Sequence, residues 1–349
     1  MGESAFGVVR ELEVKNFRGV REGSIKDFAA VNIFVGRNGT GKSSILEALY
    51  IALKPDDGLA YVVRRRGWFG LASAEALFYH GQKEIHISAT LKEGKKTELK
   101  IKPGMPSADT IPVLRERGLN VEELLALDLE TVGGVKAAQL YMDEDGKLHY
   151  IFLKEWSRPI YEAVFVDWNS VYQYGSPEEA YSRMVAKAGA AAKESVVKAL
   201  RSQYKDLSDV MPLYVRGRWV LHLVFENISV PFYAVGDGVR YALMLLIQAL
   251  TPSGAAVMLE EPELHTHPSL MKIVANAILR SHIDRGNQIF VTTHSLELIK
   301  MITEEARGMG LKNLKVFRLA LDRGALHAEE YTLDEAWRAL EKLGWDLRK

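Results

Sequence analysis

The sequence predicts an α/β fold whose parallel sheet is covered by helices on both faces, and three observations carry that prediction. Residues 29–36, AAVNIFVG, are an apolar run that stops at a glycine-rich loop, after which Ile45, Leu46, Leu49, Ile51 and Leu53 recur at helical spacing. Residues 255–263, AAVMLEEPE, and 287–295, NQIFVTTHS, are two further short apolar runs of the kind buried in a sheet. The stretches 237–250, DGVRYALMLLIQAL, and 269–282, SLMKIVANAILRSH, read as helices between and before them. Alternation of buried strand and helix is the pattern of parallel strands joined by crossovers.

Taken from the N-terminus, RELEVKNF (10–17) and AAVNIFVG read as two early strands. EIHISATL (84–91) and TELKIKP (97–103) form a hairpin across KEGKK. Between Lys102 and Leu140 proline and glycine punctuate a short helix, and the stretch reads as an insertion on the core. KLHYIFL (147–153) and EAVFVD (162–167) are strands. Residues 176–204 are strongly helix-forming, with Ser176 as cap, Pro177 in the first turn and Glu179 completing a capping box. WVLHLVFENISVPF (219–232) reads as two strands, and the segment from Leu314 onward as a hairpin plus helix.

The 349 residues, 48% of them hydrophobic, suffice for a large core. Lys and Arg total 45 and so do Asp and Glu, so the formal net charge is zero and any nucleic-acid contact needs a local basic patch. There is no cysteine, which excludes disulfides and thiolate metal sites. No signal core is recognised, and ALMLLIQAL (242–250) is too short to span a bilayer, so the expectation is a cytoplasmic protein with no membrane contact.

GRNGTGKS, residues 36–43, fits G-x-x-x-x-G-K-S between a strand and a helix, the context in which backbone amides cradle phosphates. Gly36, Arg37, Asn38, Gly39, Thr40, Gly41, Lys42, Ser43 and Ser44 are therefore expected to bind nucleotide. Lys42 is expected to bridge the β- and γ-phosphates, and the Ser43 hydroxyl to bind Mg²⁺. Glu260 and Glu261 end an apolar strand: the first is expected in the Mg²⁺ shell, the second as the base that orients and deprotonates water. His294 ends another strand, where an imidazole can hydrogen-bond the γ-phosphate. HTHP (265–268) holds two histidines without clear further ligands, so no metal site is expected there. RRR (64–66), ahead of aromatic residues, reads as a solvated loop or as a contact for a nucleic-acid backbone or partner.

Together VKNFRGV (14–20), the phosphate loop, VGDGVRYALMLL (235–246), MLEEPELHTHP and IFVTTHS resemble the ABC-type ATPases of the RecF, SMC and OLD group, AAA-family ATPases of stand-alone OLD type in particular. The resemblance implies a P-loop NTPase fold of ABC-ATPase type: a mixed central sheet with an antiparallel β lobe and a helical insertion. It implies one ATPase domain over 1–349, divided as 1–85 (phosphate loop and β lobe), 86–160 (hairpins and insertion), 161–212 (helical lobe) and 213–349 (signature loop, acidic strand and histidine strand). ATP and Mg²⁺ are the implied cofactors and a head-to-tail homodimer the implied assembly. Gly236, Asp237 and Gly238 align with the signature loop that caps the partner's γ-phosphate, with Gly236 where many relatives carry serine. Arg18 of KNFR is implied near the nucleotide, while Gln82 and Gln173 are both candidates for the Q-loop glutamine. OLD nucleases carry a Toprim domain after the ATPase; nothing here is long enough to be one, so the chain by itself is not expected to cut DNA.

Two function classes follow. One is an ATP hydrolase working as a nucleotide-gated clamp or switch, with DNA maintenance or anti-phage defence as its setting and DNA or an effector protein as partner. The other is a slowly hydrolysing ATP sensor or scaffold that controls a separate effector such as a nuclease. A kinase does not need EEPE and TTHS together with a signature loop, and a GTPase lacks its N-K-x-D base reader.

Overall fold

The structure, a computed structural model, describes residues 8–67, 75–121, 125–131, 135–142, 148–152, 161–168, 176–264 and 266–348. In chain order come β1 (Val9–Phe17), β2 (Val20–Ile25), β3 (Val31–Val35), α1 (Lys42–Leu53), α2 (Pro55–Arg65), β4 (Ile85–Leu91), β5 (Lys96–Gly104), α3 (Thr110–Glu116), β6 (Leu125–Thr131), β7 (Val135–Met142), β8 (Leu148–Phe152) and β9 (Ala163–Val166). These are followed by α4 (Pro177–Arg201), β10 (Leu207–Val215), β11 (Arg218–Phe225), β12 (Ser229–Pro231), α5 (Asp237–Leu250), β13 (Ala256–Glu260), α6 (Met271–Ile283), β14 (Gln288–Thr292), α7 (Leu296–Gly308), β15 (Leu314–Asp322), β16 (Ala325–Thr332) and α8 (Leu333–Glu341).

Among the described residues thirteen strands join one mixed sheet in the order β8-β7-β6-β5-β4-β1-β2-β16-β15-β3-β14-β13-β9. From β15 to β9 every pairing is parallel, and the strands from β8 to β2 pair antiparallel with one another. β10, β11 and β12 form a separate antiparallel sheet. The stretch 102–140 differs from its reading as an insertion with a short helix. Thr110–Glu116 is helical, but β6 and β7 extend the main sheet, because their alternating Leu127, Leu129 and Leu140 pack into the same core as β4 and β5. β2, not foreseen, supplies only Val20 and Ile25 to the core and carries exposed polar residues between them. The helix from Ser176 forms with its capping box and breaks at Gly189, whose φ of 70° lies outside helical space.

Side-chain alternation splits the parallel strands between two cores. Val31, Ile33, Val257, Leu259, Ile289 and Val291 face α4 to α8, whereas Phe34, Met258, Phe290 and Phe165 face α1 and α2. Period-two alternation therefore sends Glu260, two residues after Met258, to the α1–α2 side. Register then fixes the edge of the site: Phe34 pairs with Thr292, and Thr292 with Glu260.

One buried amide helps tie the start of β1 to this core. Gln288 Oε1 accepts from the N–H groups of Val8 and Val9 at 2.7 and 2.8 Å, and its Nε2 donates to the carbonyls of Val9 and Ala29 at 2.8 and 3.0 Å. Replacing Gln288 with Leu strands these buried groups, and a loss of about 2–4 kcal/mol is expected in denaturant unfolding. A loss within 0.5 kcal/mol would remove the amide from that role.

Candidate functional site

β3 ends at Val35 and the chain enters α1 through the loop 36–41. Gly36, Gly39 and Gly41 take φ of 143°, 78° and 89°, left-handed values that favour glycine. At Gly36 space is closed as well, since a Cβ would lie 2.5 Å from the Leu319 carbonyl oxygen. Thr40 Oγ1 donates to the Arg37 carbonyl at 2.9 Å. Lys42 Nζ donates to the carbonyls of Gly36 at 3.0 Å and Arg37 at 2.8 Å. The first turn of α1 carries no acid, so its free amides and the Lys42 ammonium face the loop with positive charge. Burial pulls the Lys42 pKa down, opposed by Glu261 and Glu263.

An open pocket of about 310 Å³ lies over this turn. Arg18, Asn38, Gly39, Gly41, Lys42, Ser43 and Ser44 line it together with Glu261 and His294. Three separate strand ends thus contribute to one cavity. Glu261 adopts φ 45°, a left-handed conformation rare for a side chain other than glycine and typical of functional sites. Its N–H donates to the Thr292 carbonyl at 3.0 Å, and its Oε1 lies 3.3 Å from His294 Nε2. Burial first, then the Lys42 ammonium, lower the His294 pKa, with Glu261 opposing and Arg348 adding to the depression. The neutral imidazole, able to donate from one nitrogen, is accordingly favoured.

The structure places the remaining predicted residues as follows. Glu260 is largely buried outside the pocket lining, and its carboxylate pairs with Arg65. Gly236 is the N-terminal cap of α5, where nothing lies within 4 Å of an added Cβ, and Asp237 pairs with Arg240 three residues on. Gly236, Asp237 and Gly238 do not line their own chain's pocket. Gln82 is exposed and does not line it either. Gln173 and His265 lie outside the described residues, and His267 Nδ1 is engaged by Ser269. Within the basic triplet Arg64 is exposed, but Arg65 and Arg66 turn inward onto carboxylates, so the reading of all three as a surface patch is corrected.

Glu263, which sequence reasoning passed over, holds the histidine in place. Its Oε1 accepts from Thr293 Oγ1 at 2.6 Å and from the His294 N–H at 2.9 Å, while Oε2 is buried with no hydrogen-bond partner among the described residues. Its only signal in the sequence is a third acid in EEPE. Arg65, Glu47 and Asp167 were also missed: Glu47 is a lone acid in an apolar helix, and Asp167 merely ends a strand.

The comparisons with known proteins point to an ATPase. Residues 8–104 match the model of the AAA ATPase domain, and residues 226–300 the model described as "AAA domain, putative AbiEii toxin, Type IV TA system". The chain is similar to an ATP/GTP phosphatase of Helicobacter pylori, 22% identical over 331 residues that cover 86% of this chain and 89% of that one. It is 47% identical over 51 residues to the DNA double-strand break repair Rad50 ATPase of Archaeoglobus fulgidus, a match covering 14% of this chain and 6% of the other. In fold it is similar to an SMC head solved with the C-winged helix domain of ScpA, with a TM-score of 0.56, 14% identity and coverage of 95% and 99%. Fold and site define a P-loop ATPase of ABC type. Two stretches of the chain, 8–104 and 226–300, carry the AAA-family ATPase likeness on that fold.

Burial raises the Glu263 pKa, and Thr293, two backbone N–H groups and then Glu261 modify it. A carboxyl whose folded-state pKa exceeds its unfolded value contributes stability below the unfolded pKa and loses it as pH rises through the folded one. Glu263→Gln, neutral throughout, is therefore expected to gain stability relative to the parent between pH 4 and pH 8. Parallel unfolding curves at the two pH values would show that Glu263 carries no such penalty.

Proposed function

We propose that the protein hydrolyses ATP in the pocket at the N-terminus of α1 and works as a nucleotide-gated homodimeric clamp or switch of OLD type. The observation that carries this reading is the convergence of Lys42, Glu261 and His294, from the ends of three neighbouring strands, on one phosphate-cradling loop. The loop amides and Lys42 would hold the phosphates. Glu261 would take the proton of a water whose oxygen attacks the γ-phosphorus in line, as the bond to the β,γ-bridging oxygen breaks to give ADP and phosphate. Neutral His294, braced by Glu263, would donate to the γ-phosphate oxygen on which charge builds.

Mg²⁺ fits the donors on offer. Ser43 hydroxyl and Glu260 carboxylate are hard oxygens, and no group of three or more His, Cys, Asp or Glu among the described residues forms a self-sufficient metal cage. Mg²⁺ at nucleotide sites needs few protein ligands, because phosphate oxygens and water complete its shell. When bound it neutralises charge on the β- and γ-phosphate oxygens. The exposed N-terminus of α5 at Gly236, Asp237 and Gly238 supports a head-to-tail dimer, since its free amides suit a phosphate held by a second copy. The Asp237–Arg240 pair offsets the negative charge an incoming phosphate would meet. DNA maintenance or anti-phage defence, with DNA or an effector protein as partner, is the setting the reading favours, in the cytoplasm. Among the described residues no helix is long and apolar enough to cross a membrane.

Lys42→Ala is expected to abolish nucleotide binding measured by titration calorimetry; retained tight binding would move the nucleotide away from this loop. Glu261→Gln is expected to keep binding and to lose roughly 10²–10³-fold in turnover, the scale of a lost general base. Turnover close to the parent's would take Glu261 out of that role.

A further inference from the structure

Glu260 stands beside the phosphate loop with both carboxylate oxygens already approached. Arg65 Nη2 pairs with Oε2, and Arg66 Nη2 lies 3.8 Å from Oε1. Arg65 is a three-pronged hub: its Nη1 donates to Glu47 Oε1 at 2.5 Å and its Nε to Asp167 Oδ2 at 2.9 Å. Glu47 also takes Arg66 through Nε at 3.0 Å and Nη2 at 2.8 Å, and pairs with Arg18. The side chains of Glu47, Asp167 and Arg65 are exposed by 0%, 1% and 8%. Among the described residues the guanidiniums of Arg18, Arg65 and Arg66 match the three carboxylates in number. Glu47 follows Ser43 by one helical turn on the same face of α1, so the hub ties the helix that carries the metal-binding hydroxyl to the ends of β9 and β13.

The cluster is uneven. Glu47 and Asp167 are held by Arg65 from a side chain that is nearly buried, whereas the Arg66 contact to Glu260 is a long ion pair on a more exposed side chain. A dication brought to Glu260 would stand close to two guanidiniums, and like charges in a partly buried site repel with incomplete screening. Arg65 can give up its Nη2 prong and remain anchored through Nε and Nη1. On the reading of Glu260 as a Mg²⁺-shell carboxylate, on which this inference rests, we propose that Arg65 and Arg66 are positioning residues that latch Glu260. Mg²⁺ draws on that carboxylate only as the guanidiniums give way, so the pair sets the Mg²⁺ concentration at which nucleotide binds and couples metal entry to the last turn of α2.

The test is the Mg²⁺ dependence of binding a fluorescent ATP analogue, measured on the full chain in chelator-buffered solutions. Arg66→Ala and Arg65→Lys are expected to lower the half-saturating Mg²⁺ concentration by about threefold to tenfold, the effect of relieving one partly screened ion pair. Glu260→Gln should erase the difference between each arginine variant and its parent. A half-saturating concentration that is unchanged or raised in both arginine variants overturns the latch, leaving the cluster as a structural brace. Absence of Mg²⁺-dependent binding in the unaltered protein overturns the reading of the site itself, and the latch with it. Where a variant does not fold, hydrogen exchange of the unaltered protein decides: with nucleotide present, replacing chelator by Mg²⁺ should speed exchange at Val62 to Arg66. Equal exchange in the two conditions contradicts the proposal.

Discussion

Parallel pairing of β14 between β3 and β13 is the constraint from which the site follows. It sets Phe34, Thr292 and Glu260 in one row across the sheet. The residues that leave the sheet just beyond that row, the glycine loop, His294 and Glu261, therefore emerge at the same edge. Open α/β sheets collect ligands at the carboxyl ends of their strands for this reason. Backbone hydrogen bonds in the buried strands hold the alignment, and the side chains only finish it. Glu261 reaches His294 because its N–H stays on the Thr292 carbonyl while its φ turns left-handed. His294 is steadied from behind by Glu263.

Charge is distributed with the same locality. The chain is neutral as a whole, yet Lys42 and the amide-rich start of α1 make one electropositive pocket. Beside it, three arginines pair with three acids in the cluster around Glu47, and one of them, Arg18, also lines the pocket. Breaking a buried pair costs more than the pair contributes, because the remaining charge is left without compensation. Such a cluster is better suited to fixing the relative positions of α1, α2, β9 and β13 than to adding stability.

Much of this was legible in the sequence. The phosphate loop shows because glycine spacing, a lysine and a flanking strand and helix all express one local backbone shape, and Gly36, Gly39 and Gly41 do carry the positive φ values it needs. The acidic and histidine strands show because buried parallel strands are unbroken apolar runs. Legibility fails where identity depends on tertiary direction. Arg65 and Arg66 look like a surface triplet, and only the packing of α2 against α1 turns them inward. Asp167 and Glu47 have no local pattern at all, since their partners lie 102 and 18 residues away. β6 and β7 were hidden by the proline and glycine punctuation around α3.

The account stands or falls on whether one copy completes the nucleotide site of another. The direct measurement is the mass in solution of the Glu261→Gln protein by light scattering, with and without Mg-ATP. A monomer without nucleotide that doubles its mass with Mg-ATP is the predicted result. A protein that binds Mg-ATP and stays monomeric would contradict it, because the amides at the start of α5 would then face no phosphate.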